Sequence, residues 1–163
     1  IERISITISF SFFHFNSTKV EINHDFMAAV SNDTNSANLA IVPVKSKEMN
    51  VNIVMGQENP EVQGWVRDER VKDDYTCIPV ATPIFKRTAS GQWIEPYLLY
   101  PLKQNENFPV ASIKAINASS FEVAFNNGEK LIVDFTMGQN SIQMLNYTIV
   151  GKNKKSVRNE VIK

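Results

Sequence analysis

The 163 residues include a single cysteine, Cys77, which excludes an internal disulfide and any cysteine-based metal cluster. Long apolar runs are missing too: no stretch approaches the roughly 20 residues that a membrane-crossing helix needs, so no membrane partner is expected. There is no surplus of charge. Lys and Arg number 17 and so do Asp and Glu, for a formal net charge of zero. Nucleic-acid binders usually carry a basic excess, and the basic residues here are scattered except near the end, so no nucleic-acid partner is expected either. No window of about 11 residues has a convincing helical period with caps. Glycine-rich phosphate loops, nucleophile elbows and Cys/His metal motifs do not occur. The chain starts Ile1-Glu-Arg-Ile, without an initiating methionine or a secretory leader, and is expected to be a piece of a longer polypeptide.

What the sequence does contain is strand rhythm. Hydrophobic residues make up 43% and charged residues 21%, an ordinary globular balance far from disorder. Ile4, Ile6, Ile8, Phe10 and Phe12 alternate with polar residues, the period of a strand with one buried face. Phe13 and Phe15 continue on the opposite parity, which a β-bulge or a crossing between sheets would explain. A turn at Asn16-Ser-Thr, short strands near Val20 and Phe26, a nearly continuous apolar strand over Leu39–Val44 and another over Asn50–Met55 follow. Beyond Lys103 the pattern is a meander, with strands at Val110, Phe121, Leu131 and Ile142. Asn127-Gly128 predicts a type I′ hairpin turn. The fold expected is an all-β, antiparallel β-sandwich of about ten or more strands. It would form one domain over residues 1–150, with residues 151–163 a polar, basic and frayed tail.

The stretch from Gln57 to Pro101 holds both tryptophans, the cysteine and the densest run of charges. Residues 78–85 and 93–101 read as a hairpin turning at Ala89-Ser90-Gly91, and Pro79, Pro83, Pro96 and Pro101 put these strands at an edge or make them irregular. Cys77 opens an apolar run and reads as a buried thiol. Asp68, Glu69, Asp73 and Asp74 alternate with Arg67, Arg70 and Lys72, and such mixed-sign runs are usually solvated loops or interfaces. A sharper reading is saccharide contact: Trp65 and Tyr75 would stack on sugar faces while Arg67 and Arg70 meet carboxylate or sulfate groups. Trp93, Tyr97 and Tyr100 have strand spacing and suit packing. His14 lies between Phe13 and Phe15, with His24 and Asp25 across a short connection; a metal site would need about three converging ligands, and a satisfied sheet histidine is the simpler reading. Asn16, Asn32, Asn117 and Asn146 open glycosylation sequons, which have meaning only in a secreted protein of a glycosylating host.

Pro60-Glu-Val-Gln-Gly-Trp-Val, a charged loop, a proline-bearing strand and Leu98-Leu-Tyr-Pro together resemble the C-terminal β-domain of heparinase II/III-like polysaccharide lyases. Phe13-His-Phe, Val20-Glu-Ile and Leu39-Ala-Ile-Val-Pro extend the resemblance over roughly the first two thirds of the chain. It implies β-elimination of uronic-acid polysaccharides such as heparin, heparan sulfate or alginate. An upstream helical domain would be the partner that carries catalysis, and the β-domain would close the cleft on the acidic polysaccharide. No catalytic residue and no metal ligand or other cofactor falls in this chain, though the parent enzyme could bind a divalent metal, and location would be periplasmic or secreted. A stand-alone carbohydrate-binding or adhesion module, with Trp65, Tyr75 and Trp93 as its platform, is the alternative, and a structural interaction domain is a third.

Overall fold

The computed structural model of the chain describes residues 6–15, 19–44, 47, 49–72, 75–90, 95–137, 142–151 and 155–161. It is all-β, with several antiparallel sheets and no α-helix among the described residues. The chain forms two compact units, Ile1–Glu106 and Asn107–Lys163, where one domain over 1–150 was expected. The first unit carries β1 (Ile6–Phe12), β2 (Val20–Asn23), β3 (Ala28–Ser31), β4 (Asn38–Pro43), β5 (Met49–Val54), β6 (Trp65–Arg67), β7 (Cys77–Pro79), β8 (Thr82–Ser90) and β9 (Tyr97–Leu102). The second carries β10 (Val110–Asn117), β11 (Ser120–Phe125), β12 (Lys130–Met137), β13 (Ile142–Val150) and β14 (Lys155–Val161).

In the first unit one sheet has the order β1-β8-β5, a second the order β2-β3-β4-β9, and β6 and β7 form a separate ribbon. Side chains from the two larger sheets share one core: Phe15, Met49 and Phe85 with Ala29 and Ile41, flanked by Phe13, Val20, Leu39, Val51 and Tyr97. Phe85, 1% exposed, is central to it. Phe13 and Tyr97 meet its ring edge-on at centroid distances of 5.8 and 5.2 Å, and lie 5.3 Å from each other. Strand alternation explains why Phe85 and Arg87 face this core while Lys86 is exposed.

The parity change at Phe12 and Phe13 is neither a bulge nor a crossing. The β1–β8 register runs unbroken from Ile6↔Ser90 to Phe12↔Ile84, and Phe13 N and Phe15 N then donate to Pro83 O and Ala81 O, which is the same register continued. Pro83 has no N–H to return the bond from Phe13, so the reciprocal ladder stops at Phe12. Phe13 and Phe15 are apolar because they pack into the shared core.

The expected hairpin over 78–101 does not form. β8 pairs with β1 and β5, whereas β9 pairs with β4, so the two runs belong to different sheets. Ala89 and Ser90 end β8 rather than forming a turn; Gly91 and Trp93 lie outside the described residues. Pro101 does sit on an edge strand, β9. Pro83, by contrast, is in the central strand β8, tolerated because its missing donor falls where the β1 ladder has ended.

A charged pair also faces the interior. Arg87 Nη1 lies 2.6 Å from Glu95 Oε2, with side chains 10% and 6% exposed, and it ties β8 to the segment entering β9. Glu95 Oε1 is buried without a hydrogen-bond partner among the described residues. Beside them, burial pushes the Tyr97 hydroxyl above the ordinary phenolic range, a hydrogen bond with Ser11 draws it down, and the charges of Glu95 and Arg87 act in opposite directions.

The second unit is a five-stranded meander, β10-β11-β12-β13-β14. Phe121 and Val123 on β11 and Val133 and Phe135 on β12 are buried, and the register Phe121↔Val133 puts them on one face. The Asn126-Asn127-Gly128 connection is where the sequence placed it, but its geometry differs. Gly128 N donates to Phe125 O (2.9 Å) and Phe125 N to Glu129 O (2.9 Å), and only Gly128 has positive φ, at 84°. This is a three-residue connection with a glycine bulge rather than a type I′ turn. Residues expected to fray form β14, paired with β13 from Met144↔Val161 to Val150↔Lys155. An edge strand needs no apolar alternation and commonly carries charge, which is why Lys155, Arg158 and Glu160 gave no strand signal.

Removing Glu95 takes the facing carboxylate away from a guanidinium whose side chain is only 10% exposed. Glu95→Ala is expected to lower stability in urea unfolding by about 3–5 kcal/mol, while the paired change Arg87→Met with Glu95→Leu costs much less. Because the phenol of Tyr97 is raised in the folded state, its contribution is present below the unfolded value near pH 10 and is lost as pH climbs through the folded one. Thermal unfolding followed from about pH 8 to pH 11 should therefore show a steeper alkaline loss in the wild type than in Tyr97→Phe.

Candidate saccharide-contact site

Two glycines close a loop beside β8. Gly56 N donates to Gly64 O (3.1 Å), Gln57 and Gln63 exchange both backbone bonds at 2.9 and 3.0 Å, and Val80 N also donates to Gly64 O (2.8 Å). Gly64 has φ of 73°, and a Cβ there would stand 2.9 Å from Met55 Cα, so no side chain fits. Within the loop, Gln57 Nε2 donates to Glu61 O (3.1 Å) and Gln63 Nε2 to Glu61 Oε2 (2.9 Å). The Asn59-Pro60 peptide is cis.

The chain leaves this loop directly into β6. Trp65 is half-buried, its ring lies against Gly56, and its indole N–H donates to Gln57 O at 3.1 Å. Beside it opens a cleft of about 540 Å³ lined by His14, Glu61, Gln63, Gly64, Trp65 and Thr82, with Val62 and Ile84 adding apolar surface. That volume is typical of a small-molecule site. Thr82 and Ile84 alternate with Phe85, so the cleft lies on the side of β8 opposite the aromatic core.

His14 is exposed, and its Nδ1 is 2.9 Å from Thr82 Oγ1. Thr82 gives its hydroxyl proton to Val80 O (3.2 Å). With that proton given to Val80 O, the hydroxyl oxygen can accept from His14 Nδ1. His24 is an exposed turn residue. Among the described residues no three His, Cys, Asp or Glu side chains converge, so the described part of the chain offers no ligand set for a divalent metal.

The four residues read as saccharide contacts do not come together. Trp65 lines the cleft. Arg67 is exposed and shares the Trp65 face of the β6–β7 ribbon, but does not line the cleft. Arg70 holds Asp68 with both arms of its guanidinium, Nε to Oδ1 at 2.8 Å and Nη2 to Oδ2 at 2.9 Å. Its backbone N–H also donates to Asp68 Oδ1 (3.1 Å). Hydrogen bonds from Arg70 hold the Asp68 carboxyl below its usual range. Asp68 is thus buried, not solvated: it staples its own turn, which the expectation for a mixed-sign run missed. Tyr75 is 92% exposed and outside the cleft. Asp73, Asp74 and Trp93 lie outside the described residues.

Glu61, Gln63 and Gly64 were missed as contacts, although a signal existed: Glu61, Gln63, Trp65 and Arg67 fall at alternate positions, the spacing of one strand face. Cys77 is exposed, contrary to the buried thiol expected. On the β6–β7 ribbon it pairs with Arg67, and alternation turns Ile78 inward instead. No family model, curated protein or solved structure matches the chain.

The exposure of Cys77 has a direct readout. A thiol-disulfide reagent such as Ellman's should titrate one thiol per chain in native buffer, as fast as after denaturation to within about tenfold, whereas a buried thiol would react only once the chain unfolds.

Proposed function

We propose that this chain is the non-catalytic β-sandwich part of a polysaccharide lyase of the heparinase II/III-like kind, contacting the polymer through the cleft beside Trp65. The observation that carries the reading is the half-buried Trp65 ring lining a cleft with Glu61, Gln63 and His14. An aromatic face matches the apolar C–H face of a sugar ring, and flanking amide and carboxylate groups match its hydroxyls. A core shared by two sheets of the first unit supports the sandwich reading. β-Elimination needs a base for the proton α to the uronate carboxylate and a group that stabilises the charge developing on it. Among the described residues lining the cleft, the one carboxylate already accepts from Gln63, and there is no Arg or Lys. The chemistry is therefore assigned to an upstream helical domain, the acidic polysaccharide is the shared ligand, and the setting is periplasmic or secreted.

A stand-alone carbohydrate-binding module is the second reading, favoured by one fact: every residue lining the cleft comes from the first unit. Both readings expect saccharide contact at Trp65.

Isotherms of the chain against heparin, heparan sulfate and alginate oligosaccharides at two salt concentrations test that contact. Saturable binding to at least one polymer is expected, weakened about tenfold or more by Trp65→Ala. Arg67→Ala should flatten the salt dependence, and Arg70→Ala, whose guanidinium is engaged by Asp68, should leave affinity within about twofold. Absence of binding to all three polymers would overturn the reading. The chain by itself is expected to produce no unsaturated-uronide absorbance from any of them; a measurable rate would move catalysis into this chain.

A further inference from the structure

The charge of the cleft points to a narrower ligand than the polymer as a whole. Resting on the saccharide-contact reading above, we infer that the sugar unit seated against Trp65 is uncharged, a neutral hexose or an N-acetylhexosamine, and that Glu61 disfavours a uronate in that position.

Three features of the site lead there. Among the described residues that line the cleft, Glu61 is the one carboxylate and no lysine or arginine accompanies it. Its carboxylate is held by Gln63 Nε2 at 2.9 Å, so it is positioned rather than freely rotating. An ionised carboxylate only accepts hydrogen bonds. Sugar hydroxyls can donate to it, whereas the carboxylate of a uronate is also acceptor-only and of like charge.

The cations that would welcome a uronate are placed elsewhere. Arg67 is outside the cleft, and Arg70 has both arms on the oxygens of Asp68. Trp65, for its part, has given its N–H to Gln57 O, so it presents a ring face and no donor to a ligand carboxylate. Val62 and Ile84 extend the uncharged lining. A stacked ring can direct its hydroxyls at Glu61, whereas a uronate brings a like charge beside that carboxylate.

Calorimetric titration of the whole chain at about pH 8, where imidazoles are in general neutral, decides the matter. The probes are a glucose oligomer, an N-acetylglucosamine oligomer and an oligogalacturonate of the same length. At low salt at least one neutral oligomer should bind about tenfold or more tightly than the oligogalacturonate. Raising the salt should narrow that ratio by screening the repulsion, and Glu61→Gln, which keeps the shape and removes the charge, should narrow it further. Oligogalacturonate binding as tightly as both neutral oligomers, or a ratio that Glu61→Gln leaves unmoved, would overturn the inference while the saccharide reading stands. Failure of all three oligomers to bind would also overturn the inference, while the isotherms against heparin, heparan sulfate and alginate decide separately whether the saccharide reading stands.

Discussion

The edge-on contact of Phe85 with Phe13 and Tyr97 is the interaction on which the first unit depends. Phe85 comes from the sheet β1-β8-β5 and Tyr97 from the sheet β2-β3-β4-β9, so their rings join layers that share no backbone hydrogen bonds among the described residues. Aromatic pairs of this geometry add about 0.5–1.5 kcal/mol each beyond the area they bury. The strand that delivers Phe85 then has its other face left over. Thr82 and Ile84 occupy that face, and the cleft is built against them. Core and cleft are thus two sides of β8, and neither can be repositioned without the other.

The Arg87–Glu95 pair lies along the same interface and imposes a different constraint. Hydrophobic contacts tolerate some sliding, but two buried charges joined at 2.6 Å do not. The pair therefore adds direction to a contact that the rings alone would hold more loosely. Such a pair is a weak source of net stability, since desolvation offsets most of its attraction; its effect is on which arrangement of the two sheets is tolerated.

Much of the strand pattern was legible because alternation is a local property. The apolar run at Leu39–Val44 became β4 with Ala40 to Pro43 buried, and Phe121 and Val123 took the buried face of β11. What the sequence did not reveal was pairing. Nothing within residues 78–101 states that β8 and β9 belong to separate sheets; that depends on β1, β4 and β5, which lie far away in the chain. β14 was missed for the opposite reason: its pairing is carried by backbone groups, which leave little trace in side-chain chemistry. In the site, Trp65 was legible as a large aromatic beside turn residues. Asp68 was not, because a short-range staple between residues two apart looks in sequence like any alternating charge. Glu61 and Gln63 gave little signal because a Glu and a Gln flanking turn residues look in sequence like ordinary solvated side chains.

Pro83 carries a consequence for the accuracy of assembly. If β1 slid along β8 by two residues, every side chain would keep its face and the core would register little objection. In the native register Pro83 already leaves the carbonyl of Phe13 without a return N–H, and a slide that brought Ser11 opposite Pro83 would move that gap into β1 itself. A residue that cannot donate thus stands on β8 just beyond the last β1 pair, and His14, two residues past that end, lines the cleft.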